Sequence, residues 1–231
     1  MMSDSNWYLG FGASPTLYAL YEAYGEALAA GSDREQTEKL LALLSQFADE
    51  CLNQYFIQPI ERVRLNPVGR KIVSGGVAAM KKTIHLTLRQ VVKKLSRDDR
   101  QQLAAYFDGL LKPLRQSQRY PTYVAVAISP QLRSRLSQAV ATGRTEGVET
   151  VTEDYAGALC ELVDVALQGY MTEPLRMLRL GPVLGRITKV AQDAIRSTAH
   201  TVIRKVIPAM SDQEMQGFFE FSESILYPHP R

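Results

Sequence analysis

The chain has 231 residues, long enough for one large domain or two small ones. Its 45% hydrophobic and 22% charged residues, with a net charge of +3, exclude a disordered or fibrous chain. No apolar run approaches the roughly 18 residues of a membrane span, and the first seven residues lack a basic-then-apolar leader, so a cytoplasmic protein with no transmembrane segment is expected.

The first stretch, Trp7 to Gly12, carries two glycines and reads as a segment packing on helices rather than as a strand. Ser14 followed by Pro15 is a cap and first-turn proline, so helix one is expected to run to about Gly31. Ser32-Asp33-Arg34-Glu35 has the form of a capping box and opens helix two, which should end before Pro59. The segment 59–67 then connects helices two and three.

Helix three starts at Pro67 and has the clearest periodicity. Val73, Val77, Met80, Ile84, Leu88, Val91 and Leu95 fall on one stripe, which implies a long buried face. Ser96-Arg97-Asp98-Asp99 opens helix four, which Pro113 ends.

The second half repeats this order. Shifting the sequence by 115 positions aligns the halves without a gap, with about two dozen identical pairs. Ser129-Pro130 takes the place of Ser14-Pro15. Thr145 takes that of Ser32, and segment 174–182 that of 59–67. Ser211-Asp212-Gln213-Glu214 takes the place of the cap at Ser96, and Pro228 that of Pro113. The segment 121–128 could form a short strand, but its counterpart is glycine-rich, and both are read as packing segments. The expected fold is all-α: a tandem duplication of a roughly four-helix up-and-down bundle, with copy one at 1–115 and copy two at 116–231, packed as pseudo-symmetric partners. Gly75-Gly76 inside helix three is expected to mark a kink or a close helix contact. Cys51 and Cys160 occupy different repeat positions and are read as small buried residues.

Three features bear on chemistry. From Arg62 to Arg97 there are ten Lys and Arg residues and no acid, which either attracts an anionic partner or pairs with the acidic helices two and four. His85 and Arg89, repeated as His200 and Arg204, share a helix flank and could grip a phosphate or carboxylate. The plain alternative is a boundary histidine bonded within the bundle, with an arginine paired to Asp49 or Asp164. Arg64 and Arg179 stand just ahead of helix three and its copy, where they would add to the anion affinity of a helix start or tie the connection to a neighbour.

No metal-ligand, phosphate-loop or nucleophile-elbow motif occurs, so no cofactor, metal or catalytic residue is assigned. The expected function is a non-enzymatic binding protein with one anion-attracting site per repeat, built from Arg64, His85, Arg89, Arg179, His200 and Arg204. Its partner would be anionic or amphipathic: a protein, a phospholipid surface or nucleic acid. One alternative is a bundle holding a lipid or other small molecule. Another is an enzyme in which Asp49, Tyr55 and His85, or Asp164, Tyr170 and His200, converge.

Overall fold

Serine caps start the helices where the sequence places them. In the computed structural model, which describes residues 7–113 and 122–228, the side chains of Ser14, Ser32, Ser96, Ser129 and Ser211 each accept a backbone N–H three residues on. Such a bond satisfies one of the four amides that a helix start leaves free. The first half runs β1 (Trp7–Gly12), α1 (Pro15–Ala30), α2 (Asp33–Leu52), a π turn (Asn53–Ile57), α3 (Gln58–Arg62), α4 (Pro67–Val92), α5 (Arg97–Leu110) and β2 (Leu111–Pro113). The second runs β3 (Thr122–Ile128), α6 (Pro130–Thr145), α7 (Thr152–Leu167), a π turn (Gln168–Thr172), α8 (Glu173–Met177), α9 (Pro182–Val206), α10 (Asp212–Ser224) and β4 (Leu226–Pro228), with a 3-10 turn before α7 and another after α9. The order of elements is the same in both halves. The π turns, the short helices after them and the last strands start 115 residues apart: Asn53 and Gln168, Gln58 and Glu173, Leu111 and Leu226.

The chain is mostly helical, but it is not purely so. The two leading segments are strands, contrary to their reading as packing segments. They pair antiparallel, Trp7 opposite Ile128 through Gly12 opposite Tyr123, at the centre of a sheet ordered β2-β3-β1-β4. The glycines that argued against a strand are required by it. A Cβ on Gly10 would lie 2.3 Å from the Val124 carbonyl oxygen and from the Tyr227 hydroxyl. Leu9, Gly10 and Phe11 are all buried, so the polar-apolar alternation of a half-exposed strand is absent. Pro113 and Pro228 lie in the outer strands, one residue pairing or more beyond the helix ends.

Two further boundaries differ from expectation. Pro59 and Pro174 do not stop the chain's helical path. Each sits in the first turn of a short helix, where a missing N–H costs nothing, and a π turn precedes each. Thr145 caps nothing: α6 runs through it, and its hydroxyl donates back to the Ala141 carbonyl.

One hydrophobic cluster draws on both halves, including Phe11, Phe47 and Val73 from the first and Val124, Val202 and Phe219 from the second. The long helices α4 and α9 pack directly on each other. Gly76 allows this: a Cβ there would lie 2.4 Å from the Val202 side chain, whereas one on Gly75 would meet nothing within 4 Å. The pair therefore marks a close helix contact at Gly76. The capping-box carboxylates also reach between halves. Asp99 of α5 accepts the Arg179 N–H at 3.2 Å, and Glu214 of α10 accepts the Asn66 N–H at 2.7 Å. No helix among the described residues is long and apolar enough to cross a membrane.

Candidate functional site

The stripe on α4 faces an internal space. All of its residues except Val77 line a cavity of about 230 Å³, together with Phe47 and Cys51 of α2, Leu159 and Val163 of α7, and Ile195 and Ile203 of α9. Several of these lining residues, Ile84, Leu88 and Val163 among them, are half-buried while packing against the core.

The few polar groups in the lining are already engaged. Thr87 donates to the Thr83 carbonyl and Ser222 to that of Phe219. Tyr55 and Tyr170 bring their hydroxyls to 3.3 Å of each other, and the Tyr170 hydroxyl lies 3.3 Å from both the Leu9 and the Val124 carbonyl oxygens. The π turns carry these two tyrosines to this meeting point. Burial first, and then the neighbouring phenol and Cys51, push the Tyr55 hydroxyl well above the usual phenol range. Burial and then Cys51 push Tyr170 well up too, against a lowering by its hydrogen bond with Tyr55. Both stay neutral. Burial likewise raises the Cys51 thiol, so it lines the cavity as a thiol and not as a nucleophilic thiolate. A water needs two to four polar partners, and the few hydroxyls of this lining have their protons spent on other protein groups, leaving only acceptor lone pairs.

The predicted anion-binding residues fall into three groups. His85 Nε2 sits 2.9 Å from Asp49 Oδ1, and Lys81 sits 2.8 Å from Asp49 Oδ2. His200 Nε2 sits 2.9 Å from Asp164 Oδ1, and Arg196 sits 2.6 Å from Asp164 Oδ2. Both histidines are thus held by a carboxylate of the adjacent helix. The Arg196 guanidinium and then His200 hold Asp164 below the usual carboxylate range. Of the residues proposed to form an enzyme site, Asp49 and His85 meet, as do Asp164 and His200. Tyr55 and Tyr170 engage each other instead.

Arg204 and Arg64 form the second group. Arg204 lies beside the Cys160 thiol, whose proton burial holds on more strongly than the guanidinium loosens it. Arg64 is exposed in a left-handed turn, φ 54°, ahead of α4.

The third group is Arg89 and Arg179, which line one groove from the two halves. With Lys93, Lys94, Asp99, Gly181 and Val183 they border a surface groove, and Leu95 lines both this groove and the cavity. The residues 115 positions from these look different. Lys93 and Lys94 correspond to Pro208 and Ala209, and Gly181 corresponds to Asn66. The Asn66 side chain accepts the Gly69 N–H at 2.9 Å, capping α4, and its amide reaches Glu214 at 3.4 Å. Leu65 beside it is 0% exposed, whereas Leu180 is half-buried. Gly181 gives α9 no side-chain cap and has nothing within 4 Å of where a side chain would start.

The lysines and the cavity lining were not among the predicted site residues. Lys93 and Lys94 were visible only as part of the basic stretch. The lining was visible only as an apolar stripe, which looks the same whether it faces a neighbour or a void. In comparisons with protein-family models, curated proteins and solved structures, nothing matches this chain.

Proposed function

We propose that this chain is a tandem duplication whose two copies, 1–115 and 116–231, jointly enclose one cavity, and that it binds an apolar small molecule there. The observation that carries the reading is the cavity itself, about 230 Å³ in volume and lined by apolar side chains from both halves. An apolar cavity of about 150 Å³ stays dry and takes up benzene, so this larger one suits an organic occupant. The duplication is supported by the common order of elements and by Tyr55 meeting Tyr170, its counterpart 115 residues on. On this reading helices α1, α2, α4 and α5 form one unit and α6, α7, α9 and α10 the other. Each unit closes on its partner rather than standing alone as a separate bundle.

The test uses a small neutral fluorescent probe, 1-aminonaphthalene, and native mass spectrometry of protein purified without detergent. Saturable fluorescence enhancement with one probe per chain is expected. Cys51 and Ala166 are counterparts that both line the cavity. Ala166→Trp should fill it and weaken the probe at least about tenfold, an effect of roughly 1.4 kcal/mol, with helicity by circular dichroism unchanged. Should the tryptophan disturb folding, Cys51→Leu offers a milder filling. Probe binding that is absent, or indifferent to both substitutions, sinks the reading.

A further inference from the structure

Leu95 lines both the cavity and the basic groove, so the two lie side by side. The two places differ in chemistry. The cavity offers hydrocarbon surface with its hydroxyls already bonded. The groove offers the exposed cations Arg89, Lys93, Lys94 and Arg179 against one carboxylate, Asp99. That carboxylate is committed: it accepts the Ser96 hydroxyl and N–H and the Arg179 N–H. By contrast, Arg89, Lys93 and Lys94 make no ion pair among the described residues. Elsewhere on α4, Lys81 is neutralised by Asp49. Four exposed cations thus share the groove with one committed carboxylate, beside the open space at Gly181.

From this juxtaposition we propose that the occupant is a single-chain amphiphile with an anionic head group. Its chain lies in the cavity, and its carboxylate or phosphate is held among Arg89, Lys93, Lys94 and Arg179. This rests on the apolar-ligand reading above. The chain is short: if about 150 Å³ takes the six carbons of benzene, a cavity of 230 Å³ takes about nine by proportion. Two acyl chains do not fit. The guanidinium groups offer paired donors to an oxyanion, and the ammonium groups add charge. The exposed Val183 at the groove's edge gives the first carbons an apolar contact.

Displacement of 1-aminonaphthalene by decanoate, decyl phosphate and decanol tests this on the full chain. At least one of the two anions should bind about tenfold tighter than decanol at low salt, and the better of the two identifies the head group. That preference should shrink at 0.5 M salt, while decanol binding holds. Lys93→Gln with Lys94→Gln, and Arg89→Gln with Arg179→Gln, should each erase most of the preference and leave the affinity for the neutral probe intact. Arg64→Gln, outside the groove, should leave the preference as it is. Decanol binding as tightly as both anions, or a preference untouched by salt and by both double variants, overturns the proposal while the cavity reading survives. A wild-type chain that does not bind the neutral probe overturns both.

Discussion

The loops ahead of the two long helices, α4 and α9, lie 115 residues apart in the chain and finish differently. In the first, Asn66 caps α4 and holds Glu214, and Leu65 is sealed beneath it. In the second, Gly181 caps nothing, Leu180 is half-buried, and Lys93 and Lys94 stand where the first has Pro208 and Ala209. The framework is nevertheless common to both: a capping-box carboxylate, Glu214 or Asp99, reaches across to the loop ahead of the opposite long helix. A handful of side chains thus caps and seals the loop ahead of α4 and leaves the loop ahead of α9 uncapped and half-buried.

The largest expected effect is in packing. Leu65→Ala should cost about 2 to 5 kcal/mol, because it removes a wholly buried side chain from a site with little room to relax. Leu180→Ala should cost at least about 1 kcal/mol less, since part of that side chain already borders open space. Urea denaturation of both variants decides the point, and equal losses would mean that the two loops are equally sealed.

Next come the polar closures. Glu214→Ala removes the acceptor for Ser211 and Asn66 together and should cost about 1 to 2 kcal/mol. Gly181→Asn, which writes the cap of α4 onto α9, should stabilise the chain by a few tenths of a kcal/mol. It should also slow release of a bound probe, read by stopped-flow fluorescence. Unchanged release would show that ligands leave by another route.

A smaller contrast concerns the long helices. Ala191 corresponds to Gly76, but making the first half match with Gly76→Ala should destabilise the chain by about 1 kcal/mol, because the new methyl meets Val202 and outweighs the helix gain. Gly75→Ala, facing open space, should stabilise by up to about 1 kcal/mol. The same sign for both would overturn the close-contact reading.

The smallest effect is that of acid, and it should strike both loops alike. At Asp99, burial raises the carboxyl, but the hydrogen bonds from Ser96 and the Arg179 N–H outweigh it and hold it below the usual range. At Glu214, burial is likewise outweighed by the donors on Ser211 and Asn66. A carboxylate with a depressed folded-state pKa contributes stability above the ordinary carboxylate range, roughly pH 4, and loses it as pH falls through the lower value. The urea midpoint should therefore drop between pH 5 and pH 3. Asp99→Asn with Glu214→Gln should flatten that drop.

Much of the helical scaffold was legible in the sequence. Ser14, Ser96, Ser129 and Ser211 announced helix starts through short-range bonds that involve only their own next turn. The α4 stripe was legible for the same reason, since its periodicity is local. What escaped depended on partners far along the chain. Gly10 belongs in a strand because Val124 and Tyr227 approach it, more than 100 residues away in sequence order. Pro59 gave no warning that a π turn would carry the helical path up to it. Arg89 and Arg179 stand in different halves, and nothing local shows that they line one groove with Lys93 and Lys94.

The meeting of Tyr55 with Tyr170 has a genetic corollary. In an assembly of two identical chains, a residue on the twofold axis touches its own duplicate, and any replacement alters both sides of the contact at once. Here the two phenols are encoded by separate codons and can drift apart. Their surroundings already differ: among the described residues Tyr170 also faces two main-chain oxygens, whereas Tyr55 bonds Tyr170 alone. Two positions of one polypeptide leave each side of such a contact free to change without the other.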